Sequence, residues 1–496
     1  MKQVKIKTKR KMKKIYIYAL TTALVWGAAG CKKFGDTNNN PNATTTPQVG
    51  ALLTNVEVNI TTYATTGTTA ISGGQYAQYF AETQYSSVSL YALPQNAFTG
   101  SYNGQLYDLQ NIINLGTSKN TSTVAKILQQ YIFWVLTDSW GDIPYTEALK
   151  GLEATAPKYD SQETIYKGIL AKLGEAVNEF DGSTISGDII YNGNVAQWKK
   201  AANSLRMLVA IQLSKKVPGA ADYAATAFKE ALAGGGITSN ADNLDVTYTG
   251  AYFSPWYNLY NGRTDFGVAN TMTDQLVSLA DGRSQTYGGN NQEEVAGAFV
   301  SSTVGVQYGL ERNKAIDFTT NNPTWARILR GDFRTNNNAT ATIITAAEVA
   351  LARAEAAHLG WTSENTTAMY NEGIRLSYDQ WGLVPAASYY TQSAVALAGN
   401  GSEADFGKIT LQRWIASFPD GHQAWNIWRK STTAAAPKGY PALNPAPDAL
   451  PTSSGKIPLR FIYDTNEDQT NGANVAAARA ATPNYGPDAP LWWDVN

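Results

Sequence analysis

Groups able to do covalent or metal chemistry are scarce in this chain, which has two histidines, His358 and His422, and one cysteine, Cys31, among 496 residues. A nucleophile-histidine triad or a zinc site has almost no ligands to draw on. No G-x-S-x-G, G-x-x-x-x-G-K-[ST] or G-x-G-x-x-G run occurs, and Ser454-Gly455-Lys456 lacks the upstream glycine of a phosphate loop. Asp464-Thr-Asn466-Glu-Asp468 begins like a calcium loop, but Gln469 stands where the turn needs glycine and Val475 where it needs a bidentate glutamate. Asp138, Asp142 and Glu147 lie close in sequence. They are the nearest approach to the carboxylate pair, about 5 Å or 6.5–9.5 Å apart, that glycosidic hydrolysis uses. The expectation is a chain with no catalytic residues, no metal and no cofactor.

The one reactive group that stands out is Cys31. Residues 1–14 carry eight Lys/Arg and no acid, Ile15 to Trp26 are mainly apolar, and Ala28-Ala29-Gly30 lead into the cysteine. That is a secretory leader with a small-residue cleavage site. A thiol at the first mature position can take a diacylglyceryl group, and the freed amine a further acyl chain. The apolar run falls short of the roughly 20 residues that span a bilayer. Residues 1–30 are therefore expected to be a lipoprotein signal peptide and Cys31 the anchor. Residues 31–50 form a tether whose Asp36-Thr-Asn-Asn-Asn-Pro-Asn42 has too little apolar content to fold alone.

The leader holds eight of the 39 Lys+Arg and none of the 40 Asp+Glu, which puts the remainder near −9. Nucleic-acid binders are basic, so this balance argues against them. Beyond the tether, helical periodicity dominates. Val124, Ile127, Leu128, Tyr131, Ile132, Val135 and Leu136 lie on one face, as do Ile165, Ile169, Leu173, Ala176, Val177 and Phe180. Trp198, Ala202, Leu205 and Val209 repeat the pattern. Ala347, Leu351, Ala354 and His358 follow, with Gly360 as a stop, and then Tyr370, Gly373, Ile374 and Ser377. Small residues on facing helices suit close pairing of the tetratricopeptide kind, although no 34-residue period survives. From about 239 to 342 the chain is instead rich in Gly, Asn, Thr and Tyr, with one expected helix from Val268 to Leu279. Loops this long inside a compact domain are functional or disordered, and their aromatic content speaks against disorder.

The motifs, taken in order, resemble the SusD/RagB family of nutrient-binding outer-membrane lipoproteins. Asp138-Ser-Trp-Gly-Asp-Ile-Pro-Tyr145, Pro157-Lys-Tyr-Asp160, Gly187-Asp-Ile-Ile-Tyr191 and Trp198-Lys-Lys-Ala-Ala-Asn-Ser-Leu-Arg206 carry the first half. Ala354-Glu355-Ala356, Tyr370-Asn-Glu-Gly-Ile374, Gln412-Arg-Trp414, Gly421-His-Gln-Ala-Trp425 with Trp428-Arg429, and Ile457-Pro-Leu-Arg-Phe-Ile-Tyr463 carry the second. Two departures stand out. Asp281-Gly282-Arg283 replaces the Asp-Pro-Arg of many members, predicting a looser turn. Lys32 and Lys33 follow the cysteine where surface-exported lipoproteins often place acids.

The resemblance implies a mainly α fold, a tetratricopeptide-like scaffold of helical pairs with long irregular loops, forming a single domain over 51–496 with the loop-rich insert at about 239–342. It implies non-catalytic capture of a nutrient, most plausibly an oligosaccharide, for a SusC-like TonB-dependent outer-membrane transporter. The protein would be lipid-anchored on the outer membrane, facing the exterior. The alternatives are a binder of peptides or other non-glycan nutrients, a transporter lid and, more weakly, a glycoside hydrolase. Sugars present apolar C–H faces and rings of hydroxyls, so aromatic planes and Asn, Gln, Asp or Arg side chains recognise them. On that basis the candidate platforms are Tyr91, Phe98, Tyr102, Trp256, Tyr287 and Trp325, with Asn103, Arg283 and Arg327 as polar partners. Trp198, Trp414, Trp425 and Trp428 are expected in the core. Asn203 and Arg206 are expected to bind loop carbonyls, and Glu348 and Glu355 to pair with Arg353, Arg375 or backbone donors.

Overall fold

Oxygen-bearing side chains open most of the long helices, satisfying N–H groups that a first turn leaves unpaired. The computed structural model describes residues 47–92, 95–292, 299–451 and 455–495; the leader and Cys31 lie outside them. Numbered in chain order, the helices of nine or more residues are α1 (Val49–Ile60), α2 (Thr68–Tyr76), α3 (Gln105–Leu115), α4 (Lys119–Trp140), α5 (Gln162–Glu179), α6 (Val195–Gln212), α7 (Tyr223–Gly234), α8 (Asn270–Ser278), α9 (Arg312–Asn321), α10 (Ala346–His358), α11 (Thr366–Asp379), α12 (Glu403–Ala416), α13 (Gly421–Ser431) and α14 (Thr465–Ala481). Ser118 caps α4, Ser161 caps α5 and Ser402 caps α12, each accepting an N–H from the third residue on. At α10, Thr345 and Glu348 close a reciprocal capping box.

The helices pair as hairpins: α4 packs on α5, α6 on α7 and α10 on α11, while α12 joins α10 to α13 and α13 packs on α2. The fold is mainly helical and tetratricopeptide-like. Small residues let these pairs approach. A Cβ on Gly373 of α11 would sit 2.5 Å from the Leu351 side chain of α10, and one on Gly421 would sit 2.2 Å from the Ala70 carbonyl of α2. The tryptophans Trp198, Trp414, Trp425 and Trp428 are buried. No described helix is long and apolar enough to cross a membrane.

Between α7 and α10 the chain is more structured than its sequence suggests. The expected helix appears as α8, and α9 was not foreseen because it buries only Ala315 and so leaves no apolar period to read. Short strands tie this region to itself and to the scaffold: 244–247 pairs with 340–344, and 80–82 pairs antiparallel with 266–268. The strand between Phe80 and Glu82 thus joins the end of α2 to the insert.

Buried charge sets the helix-to-helix register. Glu355 of α10 is fully buried and accepts from Arg413 of α12 and Lys430 of α13. Burial alone would raise its pKa, but the two cations outweigh it and hold the carboxyl below its usual range. Arg353 pairs instead with Glu364 and Arg375 with Glu372, so the sequence-based pairing of Glu355 is corrected. Glu348 does take backbone and hydroxyl donors from Thr345, with Ser417 beside it. Asn203 donates to the Gly235 carbonyl at 2.9 Å and Arg206 to the Leu170 carbonyl of α5 at 3.0 Å.

Replacing Glu355 by alanine is expected to cost about 3–5 kcal/mol, because Arg413 and Lys430 would be left charged in a dry interior. Removing the exposed Arg375 should cost less than about 1 kcal/mol. Urea unfolding of the two variants checks this; comparable midpoints would refute it.

Candidate functional site

Two polar segments extend past the ends of the 80–82/266–268 strand pair. The ladder continues through Thr83, whose N–H donates to the Asp265 carbonyl at 2.9 Å and whose hydroxyl donates to the Thr264 carbonyl at 2.7 Å. Beyond it the chain turns outward on both sides. Gln84 and Tyr85 meet Gly262, Arg263 and Thr264 across an open groove of about 490 Å³. That volume lies in the range of small-molecule sites.

Tyr85 is 50% exposed, and the guanidinium groups of Arg263 and Arg312 lie 5.8 and 5.3 Å from its ring centroid. Arg263 is ion-paired with Asp265, which also accepts from Gln84 Nε2 at 2.8 Å. Tyr260 forms the back of the groove, its hydroxyl bonded to the Phe266 carbonyl and the Ile328 N–H. The result is an aromatic ring held up in water, with amide, carboxylate and guanidinium groups around it.

The short helix Pro255–Tyr260 leads into this groove, and its other end carries a second aromatic group. Tyr252 and Phe253 are each 46% exposed, and Phe253 meets Tyr257 edge-on at 5.5 Å. The six-residue helix between them is about 9 Å long.

The sequence-derived platforms lie elsewhere. Trp256 is buried on the inner face of that short helix, beside a small cavity lined by Glu348 and Asp420. Trp325 is buried with Arg327 stacked on it at 3.8 Å, so those two do meet, but as a packed pair. Tyr287 stacks on Phe418 at 4.4 Å and donates to the Ile415 carbonyl. Tyr91 and Phe98 are core residues, the first bonded to the Ala446 N–H and the second packed on Trp140. Tyr102 is half-buried against Phe98, its hydroxyl on the Pro144 carbonyl, and Asn103 beside it is exposed. Arg283 has no exposed surface and chelates Asp281 at 2.6 and 2.9 Å while donating to Ser377 and Gln412. The turn at Asp281-Gly282-Arg283 is thus tightly held, not loose. The buried rings among them offer no face to a ligand and pack loops onto the scaffold, whereas Tyr102 is only half-buried and Asn103 exposed.

The acids near α4 are likewise engaged in the fold. Asp138 is fully buried among Tyr166, Trp493 and Asn426, and burial pushes its pKa up to about 7 despite those donors. Asp142 accepts the Gln162 N–H and Glu147 the Lys158 N–H. Among the described residues no group of three His, Cys, Asp or Glu could hold a metal. His422 is buried and its pKa is pushed down to about 3, so it is neutral.

Under the groove lies Glu82, buried, accepting the N–H and hydroxyl of Ser89 at 3.1 and 2.9 Å. Burial raises its pKa to about 7, with Asp265 adding to the rise and the Ser89 bonds opposing it. Because the folded pKa is raised, the turn after Tyr85 is most stable when Glu82 is protonated. It loses stability as pH climbs from about 4.5 through about 7. Amide exchange over 83–92, corrected for intrinsic rates, should therefore quicken between pH 5 and pH 8. Glu82→Gln should flatten that dependence. Equal pH profiles for the two proteins would count against the assignment.

A sequence model of the SusD-like family, described as starch-binding and associating with the outer membrane, matches residues 41–464. Among solved structures, a chitin-binding SusD homologue from Flavobacterium johnsoniae superimposes with TM-score 0.76 at 22% identity, covering 90% of this chain and 99% of that one. A SusD homologue from Bacteroides fragilis gives 0.75 at 22% identity, covering 90% and 100%. A SusD-like protein from Bacteroides thetaiotaomicron gives 0.73 at 22%, covering 90% and 99%. At these identities the likeness is one of fold. Among curated proteins no sequence match is found.

Proposed function

This chain belongs to the SusD-like family, and from that premise we propose that it is a non-catalytic saccharide-binding lipoprotein which hands its ligand to a SusC-like TonB-dependent transporter. The observation that carries the reading is the exposed Tyr85 ring, raised in a groove whose other walls are Gln84, Arg263 and Asp265. A sugar ring presents an apolar C–H face to such a plane, and its hydroxyls find donors and acceptors on either side. Tyr252 and Phe253, at the far end of the short helix that leads into the groove, offer a second plane for the next units of an oligosaccharide.

Hydrolysis would require two carboxylates facing one bond. Asp265 is the only acid lining the groove among the described residues, and it is ion-paired; Glu82 lies beneath the wall. Binding without turnover is what this arrangement serves.

Tyr85→Ala should weaken oligosaccharide binding about tenfold, or about 1.4 kcal/mol, with the melting temperature almost unchanged, since the ring is half in water. Trp256→Ala should do the reverse, costing about 3–5 kcal/mol of stability as a buried tryptophan. Calorimetry and melts on both variants separate the roles; full affinity in Tyr85→Ala would remove the groove from consideration.

The anchoring half of the reading rests on the leader and Cys31. Acyl chains contribute about 0.8 kcal/mol per buried CH₂, so two or more hold a protein on a bilayer. Cys31→Ser should move the protein from the outer-membrane pellet to the supernatant. Retention in the pellet after a high-salt wash would overturn the lipid anchor.

A further inference from the structure

We propose that the groove at Tyr85 selects an anionic saccharide, one bearing a carboxylate or sulfate, which is received by Arg312 together with Arg263. The inference rests on the reading of the groove as a saccharide site and adds the charge of the ligand to it.

The two guanidinium groups come from different segments, Arg263 from the turn after the Pro255–Tyr260 helix and Arg312 from the first position of α9. Both converge on one exposed ring. They differ in how their charge is met. Arg263 has Asp265, which Gln84 also holds. Arg312 makes no ion pair among the described residues, and its guanidinium lies beside the Tyr85 ring.

Helix stability gives no reason for a cation at that position. The N-terminus of a helix carries partial positive charge, which disfavours a basic side chain in the first turn. The neighbouring Lys314 shows the usual remedy. Asp448 accepts from it at 2.8 Å and also takes the Glu311 N–H at 3.0 Å, cancelling that cation and capping the helix. Glu311 itself is exposed and is not paired with Arg312. The lysine is neutralised from within the chain, whereas the arginine beside the groove is left over.

Nor is the cluster a by-product of general basicity, for the chain has a net charge of −1. Contact with the tyrosine face orients a guanidinium without consuming its N–H donors. A planar fork so held matches the oxygens of a carboxylate or sulfate, and a charge-assisted bidentate bond is stronger than one to a neutral hydroxyl. The ring would meanwhile stack on the sugar that carries the anion.

The test is a glycan array carrying neutral, uronate-bearing and sulfated oligosaccharides, probed with the full-length protein in detergent. Calorimetry on a galacturonate oligomer, a sulfated oligomer and a neutral chitin oligomer follows. Acidic ligands of one or both kinds should bind at least tenfold tighter than neutral ones in low salt, and the advantage should shrink as ionic strength rises. Whichever acidic arm binds identifies the anion. Arg312→Ala should abolish the preference while leaving neutral binding intact, and Arg312→Lys should restore part of it. Arg375→Ala, an exposed arginine on α11, should change nothing. Neutral ligands binding as well as acidic ones, or a preference that survives Arg312→Ala, would overturn the inference and leave the saccharide reading standing. Failure of every glycan on the array to bind would take down both.

Discussion

A charge removed from water must be met by another charge or by a full set of hydrogen bonds, and three places among the described residues show how that rule shapes the scaffold. Glu355 draws Arg413 and Lys430 onto itself and so fixes α10, α12 and α13 relative to one another. Arg429 of α13 reaches the Asp138 carbonyl at the end of α4, while Asn426, one turn earlier, donates to the Asp138 carboxylate. Asp281 and Arg283 form the third pair, and both have no exposed side chain. Hydrophobic burial supplies most of the driving force in such a core, but it is indifferent to register. A slip of one helix by a turn would leave several ions unpaired at once, so the pairs select one arrangement.

The third pair ties the insert to the helices. Arg283 lies in the insert, yet it donates to Ser377 of α11 and Gln412 of α12, and Asp281 accepts from Tyr378 and Tyr389. The irregular region is thereby bolted to the helical scaffold shortly after the groove segment 260–265. The strand pair 80–82/266–268 is the second attachment. Between them, loops with little regular structure are held firmly enough to present Tyr85 and the arginines in a fixed relation. Recognition on loops depends on such support, because an unsupported loop would lose its ordering entropy on every binding event.

Much of the scaffold was legible because a 3.6-residue period of apolar side chains has one physical cause. The face from Val124 to Leu136 is buried along its whole length in α4. The insert was not legible in the same way. Its aromatics, Trp256, Tyr287 and Trp325 among them, look like free stacking planes when only composition and position are known. A hundred residues is enough to build a core of its own against the helices, and large rings in such a segment are drawn inside. Tyr85 escaped notice for the opposite reason: a lone tyrosine between Gln84 and Ser86 has no period and no motif. The available signal was the lack of any apolar neighbour at positions 83–87 and 261–265, apart from Val88 just beyond, which leaves a ring there nothing to pack against. The replacement of proline by Gly282 was read as loosening a turn, although the strength of that turn resides in Asp281 and Arg283 on either side.

Arginine plays two roles here, and solvation decides between them. Arg283 and Arg429 are buried, with their donors directed to Asp281, Ser377, backbone carbonyls and Asn426. Such a side chain has little left to offer a ligand, however suggestive its place in a motif. Arg312 has the same fork of donors and makes no ion pair among the described residues, its guanidinium lying beside the exposed Tyr85 ring. A guanidinium is weakly hydrated compared with an ammonium, so drying it costs less than drying a lysine. The residues that fix the fold and those proposed to meet a ligand are thus drawn from one chemical type. They are separated by whether the fold has already satisfied them.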